Sequence, residues 1–384
     1  MTQETQTPLA ESLAAEPGLS ATPLALPAAD EYRGLEWVFL GGHGLRAGWS
    51  VAVFAFLMYV FVRVLELLFY SAHLVGGAFA PRSAFFGEAI WLLALLAAAA
   101  IVAAIQQHSI VDFHLAGPAP SLHFLSGLVA GFAALSALVG ALAWGGWLHF
   151  GPTALSGLPI FKYAVLWAAA FLLVGCFEEG AFRGYLQATL ARGINFWWAL
   201  AVVAALCGWL LVTASGVGVW GVYLMALLGL GPCFWLHRAA GSRAAFWQAA
   251  WVTSTAFGFI HTGNNGENWI GIFAAAAIGF VFCVSVWVTG SVWWAIGCHA
   301  AWDWAETYFY GAADSGNVAR GHFLSTSPDG NALWSGGADG PEGSILVIAV
   351  ILLLLAVLLV IHGRKSRLPL AIPGNGPQAP APAN

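Results

Sequence analysis

Charge is scarce in this sequence. Only 8% of its 384 residues are Asp, Glu, Lys or Arg, too few to clothe a water-soluble fold of this size. Paired cysteines are also missing. Cys176, Cys207, Cys233, Cys283 and Cys298 lie in or beside apolar runs with no metal-type spacing, which excludes a disulfide framework and leaves them as packing thiols. No segment alternates like the strand of a membrane barrel. The opening stretch MTQETQTPLAESLAAEPG has neither a basic nor an apolar signal-peptide region. Apolar surface is what abounds, with 60% hydrophobic residues, 20 Trp and 26 Phe and a mean hydropathy of +0.79.

A membrane span needs about 20 mostly apolar residues. Ten stretches qualify, roughly 49–70, 88–106, 124–147, 162–190, 196–213, 217–235, 246–261, 269–289, 291–310 and 344–362. Backbone groups in lipid must be satisfied internally, so the fold class expected is all-α, a polytopic transmembrane helix bundle of about 8–10 spans. The Pro- and Ala-rich ends, 1–34 and 369–384, are expected to be disordered tails flanking a helical domain over 35–368. With both termini inside, Arg33, Arg46, Arg192, Arg238, Arg243, Arg364, Lys365 and Arg367 face the cytoplasm, against Arg82, Lys162 and Arg320 outside. That asymmetry favours cytoplasmic termini; were the source prokaryotic, the membrane would be the plasma (inner) membrane. No nucleic-acid partner is expected.

Charges at membrane depth are costly, so each needs a reason. Arg63 and Glu66 are spaced i,i+3 and can pair on one helix face. The stretch FEEGAFRGYLQ (177–187) is denser. Glu179 and Arg183 are i,i+4, so the arginine can neutralise that carboxylate, whereas Glu178 lies about 100° round the helix and is left over. Desolvation and a neighbouring carboxylate both disfavour the charged form of Glu178, a state suited to handling a proton. A second element, AFGFIHTGNNGEN, sets Phe257 one turn before His261. A third, GCHAAWDWAE, puts His299 and Asp303 at i,i+4 on one face. Taken singly, each is also compatible with a buried contact that merely fixes helices. His108, Asp112 and His114 read as polarity in a short loop rather than metal ligands. His322 and Asp329 show no matched partners, and Glu306 reads as a contact near a helix end.

In order on separate helices, EExxxR (Glu178, Glu179, Arg183), FxxxH (Phe257, His261) and HxxxD (His299, Asp303) resemble the CAAX-protease and bacteriocin-processing (CPBP, or ABI) family of intramembrane proteases. The resemblance covers about 160–362. It implies a protease core around a polar intramembrane cavity, acting on a membrane-associated peptide or protein substrate within the lipid bilayer. Two departures stand out. His261 follows Glu179 by 82 positions, a long connection that suggests an inserted helical hairpin at about 196–235. The family commonly has Asn where this chain has Asp303, so Asp303 must be protonated, orient His299, or bind metal.

By carry-over, Glu178 is the general base on water, helped by His261, while His299 and Asp303 hold the oxyanion. Glu179 with Arg183 fixes the base, and Phe257 supports the histidine. The metal-free chemistry is favoured because the compact HExxH spacing is lacking. The alternative is a zinc site of His261, His299 and Glu178. An idle scaffold or immunity protein and a transporter are the readings from other classes. For Glu178 to meet His261, the fourth helix must run on to about residue 192, and the turn from His261 to Asn268 must fold inward.

Overall fold

The computed structural model describes residues 33–41, 44–76, 79–213, 219–264, 266–314 and 316–363. The expected tails lie outside these residues, except for Arg33 and Gly34, as do Arg364, Lys365 and Arg367 of the charge count. Successive helices follow the apolar runs within a few residues: α1 (Ala47–Ser71), α2 (Pro81–Ile105), α3 (Pro120–Trp144), α4 (Leu158–Ala191), α5 (Phe196–Thr213), α6 (Trp220–Leu236), α7 (Gly241–Ile260), α8 (Trp269–Thr289), α9 (Trp293–Asp303) and α10 (Leu346–His362). The chain is a polytopic helical bundle, as expected. Among the described residues six helices, α1 to α5 and α8, are long and apolar enough to cross a membrane, and α6 and α10 are shorter apolar helices.

Local chemistry sets several ends. Pro81 and Pro120 sit in the first turns of α2 and α3, where a missing N–H costs no helical bond. Asn268 caps α8, its Oδ1 accepting from the N–H groups of Ile270 and Gly271. At the far end Gly290, with φ 80°, closes that helix in the left-handed conformation.

Helix α9 is buried along nearly its whole length and packs against α3 and α4. The approach to α3 is close because the contact is built from glycine. A Cβ on Gly131 would stand 2.0 Å from the carbonyl oxygen of Cys298, and one on Gly127 2.2 Å from that of Trp294. Gly127 and Gly131 form a small-residue stripe, which without a hydrophobic drive between helices is what lets backbones meet in lipid.

Residues 311–345 cover one end of the bundle. Within them β2 (Thr326–Pro328) pairs antiparallel with β1 (Leu148–Phe150). There the reading of Asp329 and His322 as unmatched is corrected: His149 Nε2 lies 3.0 Å from Asp329 Oδ2, and His322 Nδ1 donates to the Ala319 carbonyl at 2.7 Å. The loop brings distant chain segments together, a pairing that spacing alone does not reveal. The Arg63–Glu66 pair forms as expected, at 2.8 Å on an exposed face.

Candidate active site

Two helices change their winding at the site. In α4 a π-helical segment, Gly180–Leu186, begins directly after Glu179, and a second, Trp304–Tyr310, begins directly after Asp303 at the end of α9. Wider π turns break the i→i−4 ladder and re-aim side chains, and they recur at functional sites. The carbonyl of Arg183, inside the first, is taken by His114 Nδ1 at 2.7 Å. His114 is therefore a clasp on the π segment, which corrects its reading as plain loop polarity.

Glu179 is fully buried, and its Oε1 accepts from two donors, Arg183 Nη1 at 3.0 Å and His299 Nδ1 at 2.8 Å. Arg183, equally buried, also donates through Nε to the Gly279 carbonyl and stands over the Phe257 ring at 4.2 Å. The cation is thereby neutralised by one carboxylate and faced by an aromatic ring, the two supports a guanidinium needs in an apolar interior. Gly279 makes the fit possible, since a Cβ there would lie 2.3 Å from Arg183 Nη2.

A carboxylate held by arginine only accepts, so His299 donates from Nδ1 and presents Nε2 to the other side. Nε2 lies 3.5 Å from Asp303 Oδ2 and 3.8 Å from Glu178 Oε2. Glu179 thus orients His299, a task the sequence reading had offered to Asp303, because Glu179 projects from α4 toward α9 at the right height. Glu178 Oε2 is buried without a hydrogen-bond partner among the described residues. His261 begins a 3-10 turn and donates from Nδ1 to the Phe257 carbonyl at 2.7 Å. Its Nε2 is consequently the nitrogen left for other work. Phe257 lies between the histidines, tilted against His261 with ring centroids 4.7 Å apart and edge-on to His299 at 6.2 Å.

The long fourth helix is observed, while Glu178 lies outside the cavity that His261 lines. Helix α4 runs 34 residues, Leu158–Ala191, and the turn after α7 folds inward, so His261, Phe257, His299 and Asp303 line one cavity of about 60 Å³. Apolar residues of α8 and α10, among them Ala274, Ile278 and Val347, complete its wall. Among the described residues no group of three His, Cys, Asp or Glu side chains is arranged to hold a metal ion.

Other carboxylates close on this site and escaped the sequence reading. Glu88 on α2 acts electrostatically on Glu178 and His299; its position at the head of an apolar span was the available signal. Glu267 and Glu342 line the cavity from the loops. Burial, with Asp339 and Glu342 beside it, pushes Glu267 up to about 9. Burial and the charges of Asp314 and Asp339 push Glu342 up to about 8, and burial takes Asp339 to about 6. Trp302 Nε1 donates to Glu342 Oε1 at 2.7 Å. Glu306 is buried among the same acids, with Glu342, Asp314 and Asp303 as its electrostatic neighbours. Nothing in the one-dimensional pattern brings residues 267, 314, 339 and 342 together.

Fold and site define a multi-pass integral membrane protein with a carboxylate–histidine cavity between its helices. Residues 160–239 and 234–305 match the family model of the type II CAAX prenyl endopeptidase Rce1-like proteins. That match, over residues 160–305, agrees with the resemblance carried by EExxxR, FxxxH and HxxxD and makes this part of the chain similar to a peptide hydrolase of the membrane. No curated protein and no solved structure matches the chain.

Proposed function

We propose that the chain is an intramembrane endopeptidase that hydrolyses membrane-associated proteins or peptides with a water activated by Glu178. The observation that carries this reading is the unpartnered Glu178 Oε2 facing His299 Nε2 at 3.8 Å, a gap in which both groups can bind one water. Glu178 takes a proton from that water as its oxygen attacks the scissile carbonyl. The negative charge that develops on the carbonyl oxygen is held by protonated His299 and by Asp303 as a protonated donor, which a dry cavity makes worth more than in water. Glu178 then returns the proton to the leaving amine, so one water and one peptide bond become a carboxyl group and an amine. His261 assists from the far wall, and Glu179 with Arg183 holds His299 through Nδ1 so that its Nε2–H faces the carbonyl oxygen.

In the alternative, His261, His299 and Glu178 would hold zinc, which would polarise the carbonyl and acidify the water, but the three side chains would first have to converge, since the described residues form no such ligand group. The excess of basic residues on one side supports cytoplasmic termini, and the long connection between Glu179 and His261 supports α5 and α6 as an inserted hairpin. The test is cleavage of a membrane-peptide library by the purified full chain in liposomes, with and without chelator. Cleavage that survives chelation and is abolished by Glu178→Gln supports the metal-free reading; chelator-sensitive cleavage replaces it with zinc chemistry. A folded wild type that cleaves nothing would leave an idle scaffold.

A further inference from the structure

A second and larger concavity lies at the other end of the molecule, away from the carboxylates. It encloses about 770 Å³ where the start of α1, the end of α4 and the start of α5 converge. Its wall holds two cations, Arg46 and Arg192, and among the described residues no carboxylate lines it. The two arginine-bearing segments are held against each other, since a Cβ on Gly193 would lie 3.1 Å from that of Ala47. Arg46 commits only Nε, donating to the Trp37 carbonyl at 2.8 Å, while its guanidinium rests 4.9 Å from the centre of the Trp37 ring. Arg192 donates one Nη2 bond, to Thr189 Oγ1 at 3.3 Å. Asp112 acts on Arg192 electrostatically, but it stands outside the wall and accepts from the Ser109 N–H. Both guanidinium groups keep donors to spare.

Deeper along the same wall the chemistry turns apolar, through Trp198 and Val202 on α5. Trp37, Trp49 and Trp198 are largely exposed, amphipathic rings of the kind that settle at headgroup level. A ligand filling this space must therefore be anionic at one end and hydrocarbon at the other. We infer that this groove binds an anionic phospholipid, its phosphate held by Arg46 and Arg192 and an acyl chain laid along Trp198 and Val202. Basic pockets between membrane helices select acidic headgroups through the attraction of each cation for phosphate. Bidentate guanidinium geometry adds to that attraction. The first turn of α1 opens on the groove as well, where orphan N–H groups favour an anion.

The experiment is native mass spectrometry of the purified full chain in detergent, titrated in parallel with phosphatidylglycerol, phosphatidylcholine and inorganic phosphate. Phosphatidylglycerol is expected to bind about ten-fold more tightly than phosphatidylcholine, and Arg46→Gln with Arg192→Gln should remove that preference. The single Arg46→Gln variant, at an exposed side chain, should weaken binding in the same direction if the double variant does not fold. Equal retention of the two lipids would overturn the proposal, as would undiminished phosphatidylglycerol binding by folded variants. Displacement of phosphatidylglycerol by inorganic phosphate at matching concentration would make it a free-anion site and also overturn it.

Discussion

Removing the negative charge of Glu179 acts on two partners at once, because Arg183 and His299 share its Oε1. Glu179→Gln should lower folded yield, leaving a buried guanidinium uncompensated at about 3–5 kcal/mol, and should also release His299 from its tautomer. Glu178→Gln should leave folding intact and abolish cleavage, since the amide keeps the shape and removes the base. Thermal unfolding and peptide cleavage measured on both variants separate the roles; a stable, active Glu178→Gln enzyme would sink the assignment. Gly279→Ala belongs with them. Its methyl would push Arg183 from the Phe257 face, with an expected loss of about 1–3 kcal/mol and a parallel fall in cleavage rate. At Asp303 an amide donates where a protonated acid does, so Asp303→Asn should keep much of its activity with metal-free chemistry. A severe loss restored by added zinc would instead mark Asp303 as part of a metal site.

Helices α3 and α9 are held so close that side chains would part them, and α9 carries His299 one residue after the Cys298 contact. Gly131→Leu should therefore impair activity from outside the cavity by shifting His299 relative to Glu178. Cleavage assays on folded Gly131→Leu protein test this, and an unchanged rate would show that α9 is positioned by other contacts. The loop carboxyls give a pH dependence. Glu267 and Glu342, at about 9 and about 8 in the folded protein against 4.5 ordinarily, hold protons that the unfolded chain releases. Their contribution to stability is therefore complete below pH 4.5 and is lost as pH rises through 8 to 9. The unfolding temperature should fall from mildly acid to alkaline pH, and Glu267→Gln should flatten the curve. A wild type equally stable across that range would refute it.

At the scale of the whole molecule, the long apolar runs determined the class of fold, because lipid leaves backbone groups no partner but their own helix. The three motifs were legible for the same reason: in a chain with so few charges, Glu178, Glu179, Arg183, His299 and Asp303 stand out, and i,i+4 spacing shows which share a helix face. The 34-residue reach of α4 followed from requiring two motifs to meet at one depth. Which atom bonds which was not legible. The shared Glu179 oxygen, the Nδ1 tautomer of His299 and the clasp of His114 on a π segment depend on the rotation and approach of helices. Those are set by contacts such as Gly131 on Cys298 that leave no period in the sequence. The acidic wall of Glu267, Asp339 and Glu342 likewise exists only once residues 311–345 fold back over the bundle. Local hydropathy and spacing determined what spans the membrane and which residues carry the chemistry. Only tertiary packing decided who neutralises whom, because a buried charge is stabilised by whichever partner the packed helices bring within a few ångströms, however far away in the chain.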